Sequence, residues 1–486
     1  KIGGLMPLIL PGNVATALGG VYEVANSCRF DRGSNPTMTK TQSAGDRDKW
    51  TFSCWFKLGS TFGTIRYILG SKTDSVNYVT IEMDSADKLR FGVLIGGAYD
   101  SFKKSNRVFR DTSAWYHLVC VYDSENGTAG LRQRVYINGV EETSWASDNT
   151  TTQNQDSAVN DSSSSLIVGN LDGESAWWDG YLAEVCLIDG SALGPTSFGE
   201  FDEDSPNIWK PIDVSGLSFG TNGFYLDFEA SGNLGNDANG GTDLTEANIA
   251  ATDQSTDTCT NNFCVGNFLD NYYAASTFTE GNLKIATNAA NKTFNTSTFV
   301  LTAGKWYFEV RASDTNSDDA AIGIASVLSP QSGANGGELY DSAGNYAYRS
   351  GGNKANNDTS ASYGDTWNDD NDIIGVALDL DNLKIYFSKN GTFQDSGDPT
   401  SGATGTGAAY TITAPGSQTL TGSLQGYTPA FGEEGAQSDV FELNFGNPTF
   451  SLSSGNADGN GYGNFEYAPP SGYLSICTKN LGSDGG

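Results

Sequence analysis

The sequence predicts an all-β protein made of two tandem antiparallel β-sandwich domains of jelly-roll type with a polar connector. Three observations lead there. Short apolar or alternating runs recur between turn clusters along the 486 residues. The chain holds 60 glycines and 12% aromatics but only 17% charged residues, a balance that favours short strands and polar turns over salt-bridged helices. No segment of useful length carries a helical period, apart from a turn near "DGSALGPTSFGEF".

Residues 1–20 are apolar but broken by Gly and Pro, and read as an N-terminal arm that packs on something else. "LMPLILPG" is too short for a membrane helix or a signal peptide. Residues 21–200 form the first sandwich, through "KWTFSCWFKLG", "YVTIEM", "LRFGVLI", "AWYHLVCVYD", "RVYINGVE", "SLIVGN" and "GYLAEVCLIDG". Each run alternates or is continuously apolar, as strands with one or both faces buried do. Asn138-Gly139 supplies the positive φ values of a two-residue hairpin. Residues 201–265 turn polar and read as a connector with one or two strands that pack on the first sandwich, of which "GFYLDFE" is the clearest.

The second sandwich, 266–480, follows with "GKWYFEVRA", "AAIGIAS", "DIIGVALDLD", "KIYFSKNGTF", "YTPAFGEE" and "VFELNFG", and returns through the Pro-fixed "FEYAPPSGYLSIC". Ile374, Val376, Leu378 and Leu380 share one strand face; turns at Asp381-Asn382 and Asn390-Gly391 make the region a meander. The preceding Asp369, Asp370 and Asp372 lack the Gly and distant Glu of an EF-hand loop and read as a solvated turn. Residues 481–486 read as a flexible end.

A formal net charge of −31 repels nucleic acid phosphates and anionic lipid headgroups, so neither nucleic acid binding nor membrane insertion is expected. The excess is read as a solvating surface, with divalent-cation sites as the rarer alternative. Seven cysteines are an odd number in a long chain; Cys54, Cys120 and Cys186 sit in apolar runs, and only Cys259 and Cys264 are close enough to suggest a local bridge. Mostly free thiols are expected.

The chemistry of catalysis is sparse. The single histidine, His117, lies in a strand pattern without a nucleophile elbow, and reads as structural. "GEFDEDSP" is the densest acidic run, but it follows the last clear strand, and the strand-borne acid pair of a glycoside hydrolase is not recognised. In "ESAWWDGY", one of Trp177 and Trp178 must face away from the core if the segment is extended. Trp177 with Asp179 is therefore the candidate ligand site, since a free ring face beside a carboxylate suits a sugar; burial of Trp177 under another segment or subunit is the alternative.

"GKWYFEVRA", "GDTWNDDNDIIGVALDLDNLKIYFSKNG", "YTPAFG" and "FELNFG" resemble a SPRY domain in order and spacing. "WTFSCWFKLG", "WYHLVCVYD", "RVYINGVE", "LIVGN" and "WWDGYLAEVCLIDGSAL" resemble a laminin-G-like, concanavalin-type jelly roll. Their combination is similar to large virion proteins of tailed bacteriophages. The resemblance implies a non-enzymatic structural or adhesion component of a tail or capsid appendage, on the virion surface, with other virion proteins and a host-surface glycan or protein as partners. A homo-oligomer is expected, a trimer if the protein is a fibre, held partly by Leu5 to Leu10. A purely structural spacer or decoration role is the runner-up; a secreted adhesin or glycan hydrolase is third. Laminin-G-like relatives often hold calcium at one rim, but no ligand set maps onto this sequence residue by residue, so no cofactor or metal is assigned.

Overall fold

The structure is a computed structural model, and it describes residues 22–271, 275–288, 292–314, 319–329, 337–367, 371–435 and 438–484. The apolar segment Leu5 to Leu10 and the carboxylates Asp369 and Asp370 lie outside the described residues. The chain divides into two compact units at Thr260/Asn261, and each is an antiparallel β-sandwich in the main. No described helix is long and apolar enough to cross a membrane.

In the first unit, one sheet runs in the order Val140–Glu141, Gln133–Ile137, Trp115–Asp123, Lys49–Leu58, Gly180–Asp189, Ser27–Phe30, Gln254–Ser255. Phe224–Leu226 also pairs with Gly180–Asp189. The facing sheet runs Trp145–Asn149, Ala98–Val108, Lys88–Ile95, Asn77–Met83, Arg66–Asp74, Ser165–Val168, Thr37–Thr41, Thr245–Ala247. Phe52, Cys54, Phe56, Val79, Ile81, Phe91 and Val93 fill the space between them. Gly180–Asp189 is buried throughout because a second apolar layer, including Phe198, Val214 and Phe219, covers the outside of Cys186 and Ile188. That double burial explains why "AEVCLI" reads as a continuous apolar run.

The stretch expected as a connector whose one or two strands pack on the first domain belongs to that compact unit as far as Thr260. Phe224–Leu226, Thr245–Ala247 and Gln254–Ser255 each add to a sheet, and Gly199–Phe201 pairs with Trp209–Pro211. Phe224–Leu226 lies in the expected "GFYLDFE"; the others, of two or three residues, are too short to show a period of two against a polar background, so composition hid them.

The second unit has one sheet in the order Thr277–Thr279, Lys284–Ala286, Val440–Asn444, Lys305–Asp314, Asp372–Asp379, Lys384–Lys389, Thr392–Phe393. The other runs Thr293–Thr296, Ser423–Glu433, Ala320–Val327, Tyr346–Arg349, Asn353–Asn356, Thr359–Ser362. Ile374, Val376, Leu378 and Leu380 enter its core together, as the alternation requires. The hairpins at Asn138-Gly139 (φ 48° and 77°) and Asn390-Gly391 (φ 47° and 79°) have positive φ at both turn residues. Asp372 is buried and closes the second hairpin: Asn390 Nδ2 donates to it at 2.7 Å and Lys389 pairs with it at 3.0 Å.

The end of the chain corrects a further expectation. Thr478–Asp484 is a helix, not a loose tail. Leu481 is buried, and the Asn480 amide donates to Asp458 at 2.7 Å and to the Ser475 carbonyl at 2.9 Å. A single apolar contact and one amide, directly before "GSDGG", left no periodic signal. All seven cysteines are free thiols.

Candidate functional site

The outward face of the second sheet of the first unit gathers the most ligand-like side chains. Val79, Ile81 and Met83 point into the core, as do Leu89, Phe91 and Val93 on the neighbouring strand. Alternation then turns Tyr78, Thr80 and Glu82, and Arg90 and Gly92, to the outside. The next strand shifts register between Val93 and Leu94, which brings Tyr99 and Phe102 to one side. Their rings lie 4.6 Å apart at 40°. Both rest on Gly92, where a Cβ would come within 2.8 Å of Tyr99 Cε1 and 3.4 Å of Phe102 Cδ2. Glycine is required there so that the rings can lie close to the sheet.

Arg90 braces this aromatic shelf. Its guanidinium sits 4.9 Å from the Phe102 ring centre, its Nη2 donates to the Tyr99 hydroxyl at 3.1 Å, and its Nη1 pairs with Glu82 at 2.7 Å. Burial pushes the Glu82 carboxyl up to about 7, against the pull of Arg90. Burial acts the same way on Asp84, but hydrogen bonds from Lys104 and the backbone amides of Lys88 and Ala86 outweigh it and hold that carboxyl below the usual range. Glu82 and Asp84, in "IEMDSAD", are thus an i, i+2 acid pair at the end of a strand, a spacing the sequence reading missed. Both are almost fully buried and each is tied to a cation, so their position is that of a frame under the shelf. The shelf itself was hidden because the register shift puts its two rings three residues apart, outside a period of two.

Trp178 is fully buried and Trp177 half-buried. The Tyr67 amide donates to the Ala176 carbonyl at 3.0 Å, so the loop carrying Trp177 lies against Arg66–Asp74, two strands from Lys88–Ile95 and three from Ala98–Val108. Asp179 is turned inward. It is 3% exposed, and its Oδ2 accepts from the Thr61 amide at 2.8 Å. Burial raises its carboxyl above the ordinary value. Its visible work is to hold the turn at residues 59–61.

His117 is buried between two partners. The Trp209 indole N–H donates to its Nδ1 at 2.9 Å, so Nε2 carries the proton and faces Ser53 Oγ at 2.9 Å. A histidine in that tautomer cannot take the serine proton, because the nitrogen nearest the hydroxyl is already protonated. Burial also lowers its pKa to about 3. Among the described residues, no group of three or more His, Cys, Asp or Glu is arranged to hold a metal ion.

Residues 31–196 match the family model described as the concanavalin A-like lectin/glucanases superfamily, and residues 305–422 match the SPRY domain model. No curated protein matches the sequence. Among solved structures, the chain is similar to the SPRY domain of human HERC1, at 13% identity over 33% of this chain and 87% of that one, with a TM-score of 0.25. It is also similar to a protein of Bacteroides ovatus described as carbohydrate-binding, at 17% identity over 46% of this chain and 58% of that one, TM-score 0.32. A third is domain 4 of AbnA, an extracellular arabinanase of Geobacillus stearothermophilus, at 15% identity over 38% and 79% of the two chains, TM-score 0.27. At these scores the structural likenesses carry no functional argument. The two family models agree with the two sandwiches described above: the chain contains a concanavalin-like domain followed by a SPRY domain.

Proposed function

We propose that the protein is a non-enzymatic adhesion component that presents the outward face of its concanavalin-like domain to surface glycan. The observation that carries this reading is the Tyr99–Phe102 shelf, two partly exposed rings flattened on Gly92 and fixed by Arg90. Flat rings suit the C–H faces of pyranoses, and the arginine and tyrosine polar groups at the rim suit their hydroxyls. The proposed setting is an appendage of a tailed-phage virion, with several copies on one particle so that weak contacts add up. That setting is supported by the resemblance of the tandem domains to such virion proteins, and by a net charge of −31, which suits a protein that stays free of nucleic acid.

Glycan-array binding by the whole chain tests the reading. The wild type should bind a restricted set of glycans, and Tyr99→Ala with Phe102→Ala should lose them while the melting curve stays close to wild type. Equal array binding by the double variant would remove the shelf from the proposal. Proteomics of purified particles from the source culture tests the setting; absence of the chain from the particles would reject it.

A further inference from the structure

Thr359–Ser362, at one edge of the second unit, is left open in a way that the other sheet edges are not. It pairs only with Asn353–Asn356. All four residues, Thr-Ser-Ala-Ser, are exposed; they carry no charge and no proline, and the pairing runs without a bulge. Sheets ordinarily blunt an open edge with charge, proline, a bulge or shortness. Among the described residues, the other edges of the four large sheets do so or are covered. Thr245–Ala247 carries Glu246, Trp145–Asn149 carries Asp148 and a register shift, Thr293–Thr296 is buried, and the remaining four span two or three residues.

The open strand is also held firm. Its hairpin turn, Asn357-Asp358, has φ of 51° and 54°, as a two-residue turn matched to the sheet twist requires. The Asp358 amide donates to the Tyr340 carbonyl at 3.2 Å, and Asn356 Nδ2 donates to the carbonyls of Asn345 at 2.7 Å and Ala343 at 3.0 Å. Such a turn makes Asn356 and Thr359 the closing hydrogen-bonded pair. Alternation then directs the main-chain polar groups of Thr359 and Ala361 inward, to Asn353–Asn356, and those of Ser360 and Ser362 outward. No described residue bonds to the outward groups.

The geometry points to this edge as the place where two copies of the chain join, strand to strand and antiparallel, about a two-fold axis at Ala361. Ser360 then faces Ser362 of the partner subunit, each exchanging main-chain hydrogen bonds with its opposite, and the six-stranded sheet continues across the axis. Two features select a second copy over a foreign peptide. Strand addition takes its affinity from the main chain and its selectivity from pockets for alternate side chains. Ser360, Ala361 and Ser362 build no such pocket, whereas a two-fold axis repeats each contact without one. Charge sets the direction. Asp358 lies three residues from Ala361, so antiparallel pairing separates the two Asp358 carboxylates by about 20 Å at about 3.4 Å per residue, well beyond the roughly 8 Å screening length of physiological salt. Parallel pairing would set them side by side in a chain of net charge −31.

Sedimentation velocity of the whole chain over a concentration series tests the inference, and should show a reversible monomer–dimer equilibrium. Ser360→Pro deletes an outward N–H and leaves the inward bonds in place; Ser360→Lys with Ser362→Lys sets like charges opposite one another across the axis. Each should raise the dissociation constant at least tenfold while the melting curve stays close to wild type. The Tyr99→Ala/Phe102→Ala variant should dimerise as wild type does, so the edge and the glycan shelf can fail separately. Ala361→Cys should form a disulfide-linked dimer on mild oxidation beyond anything the seven native thiols give, because a non-hydrogen-bonded antiparallel pair holds its Cα atoms about 4.5 Å apart. The inference is overturned by a chain that stays monomeric throughout, by a dimer that neither edge variant weakens, or by an Ala361→Cys chain that cross-links no more than wild type.

Discussion

Glu184 gives the first domain a measurable pH dependence. It sits where the pairing of Gly180–Asp189 with Lys49–Leu58 slips between Ala183 and Cys186, and its backbone is left-handed at φ 50°. Its carboxyl is 6% exposed and accepts from the Tyr225 hydroxyl at 2.8 Å and the Tyr22 hydroxyl at 3.1 Å. Burial outweighs those two bonds and raises it from 4.5 to about 7. Between those values the folded protein holds a proton that the unfolded chain has released. The stabilisation is therefore complete below the unfolded value and is lost as pH rises through the folded one. A rise from 4.5 to about 7 corresponds to roughly 3 kcal/mol at about 1.4 kcal/mol per unit. Glu184→Gln stays uncharged throughout, so the variant should gain about 3 kcal/mol relative to wild type between acid and about pH 8. Glu82 and Glu309 are raised to similar values but are present in both proteins, and cancel in the difference. Urea unfolding of both proteins across this range, followed by tryptophan fluorescence, measures it. Parallel stability profiles, within about 1 kcal/mol, would refute burial as the controlling effect on Glu184.

Asp257→Asn should destabilise the first domain by about 3–5 kcal/mol in denaturant unfolding, because the fully buried Lys57 ammonium lies 2.7 Å from that carboxylate; Glu200→Gln, at the exposed end of a pair with Lys210, should cost under about 1 kcal/mol. His117 should show no NMR titration across roughly pH 5–8 and should carry its proton on Nε2; a midpoint in that range would contradict the buried pair with Trp209. Gly391→Ala should cost more than the roughly 1–2 kcal/mol of a left-handed alanine, since its Cβ would lie 2.5 Å from Tyr467. Gly461→Ala, at φ 83° with open space around it, should cost only the backbone part, and thermal melts of the two variants compare them directly.

How much was legible follows from how each feature announces itself. Strands such as "KWTFSCWFKLG" and the two Asn-Gly hairpins carry dense local signals, a run of buried side chains or a fixed pair of positive φ values, and these sequence patterns mark the fold class. The two short strands after residue 240 carry none, because their pairing partners are distant: Gln254 pairs with Cys28 and Thr245 with Thr39. The site was harder still. Alternation separates Trp177 from Trp178 but says nothing of what either touches. The shelf depends on a register shift before Tyr99, a product of tertiary pairing to which a local pattern is blind.

The late strands also set a timetable for synthesis. The family match ends at residue 196, and a nascent chain of that length already holds most strands of the sandwich. Yet Ser27–Phe30 and Thr37–Thr41 would still lack their outer neighbours, Gln254–Ser255 and Thr245–Ala247, and Lys57 would lack Asp257. Bare strand edges pair readily with other chains. The domain therefore completes itself only once residue 257 has left the ribosome. Until then neighbouring nascent chains on one message are each other's most available partners. Slow translation before that point, or truncation at the family boundary, should yield aggregates rather than a smaller lectin-like domain.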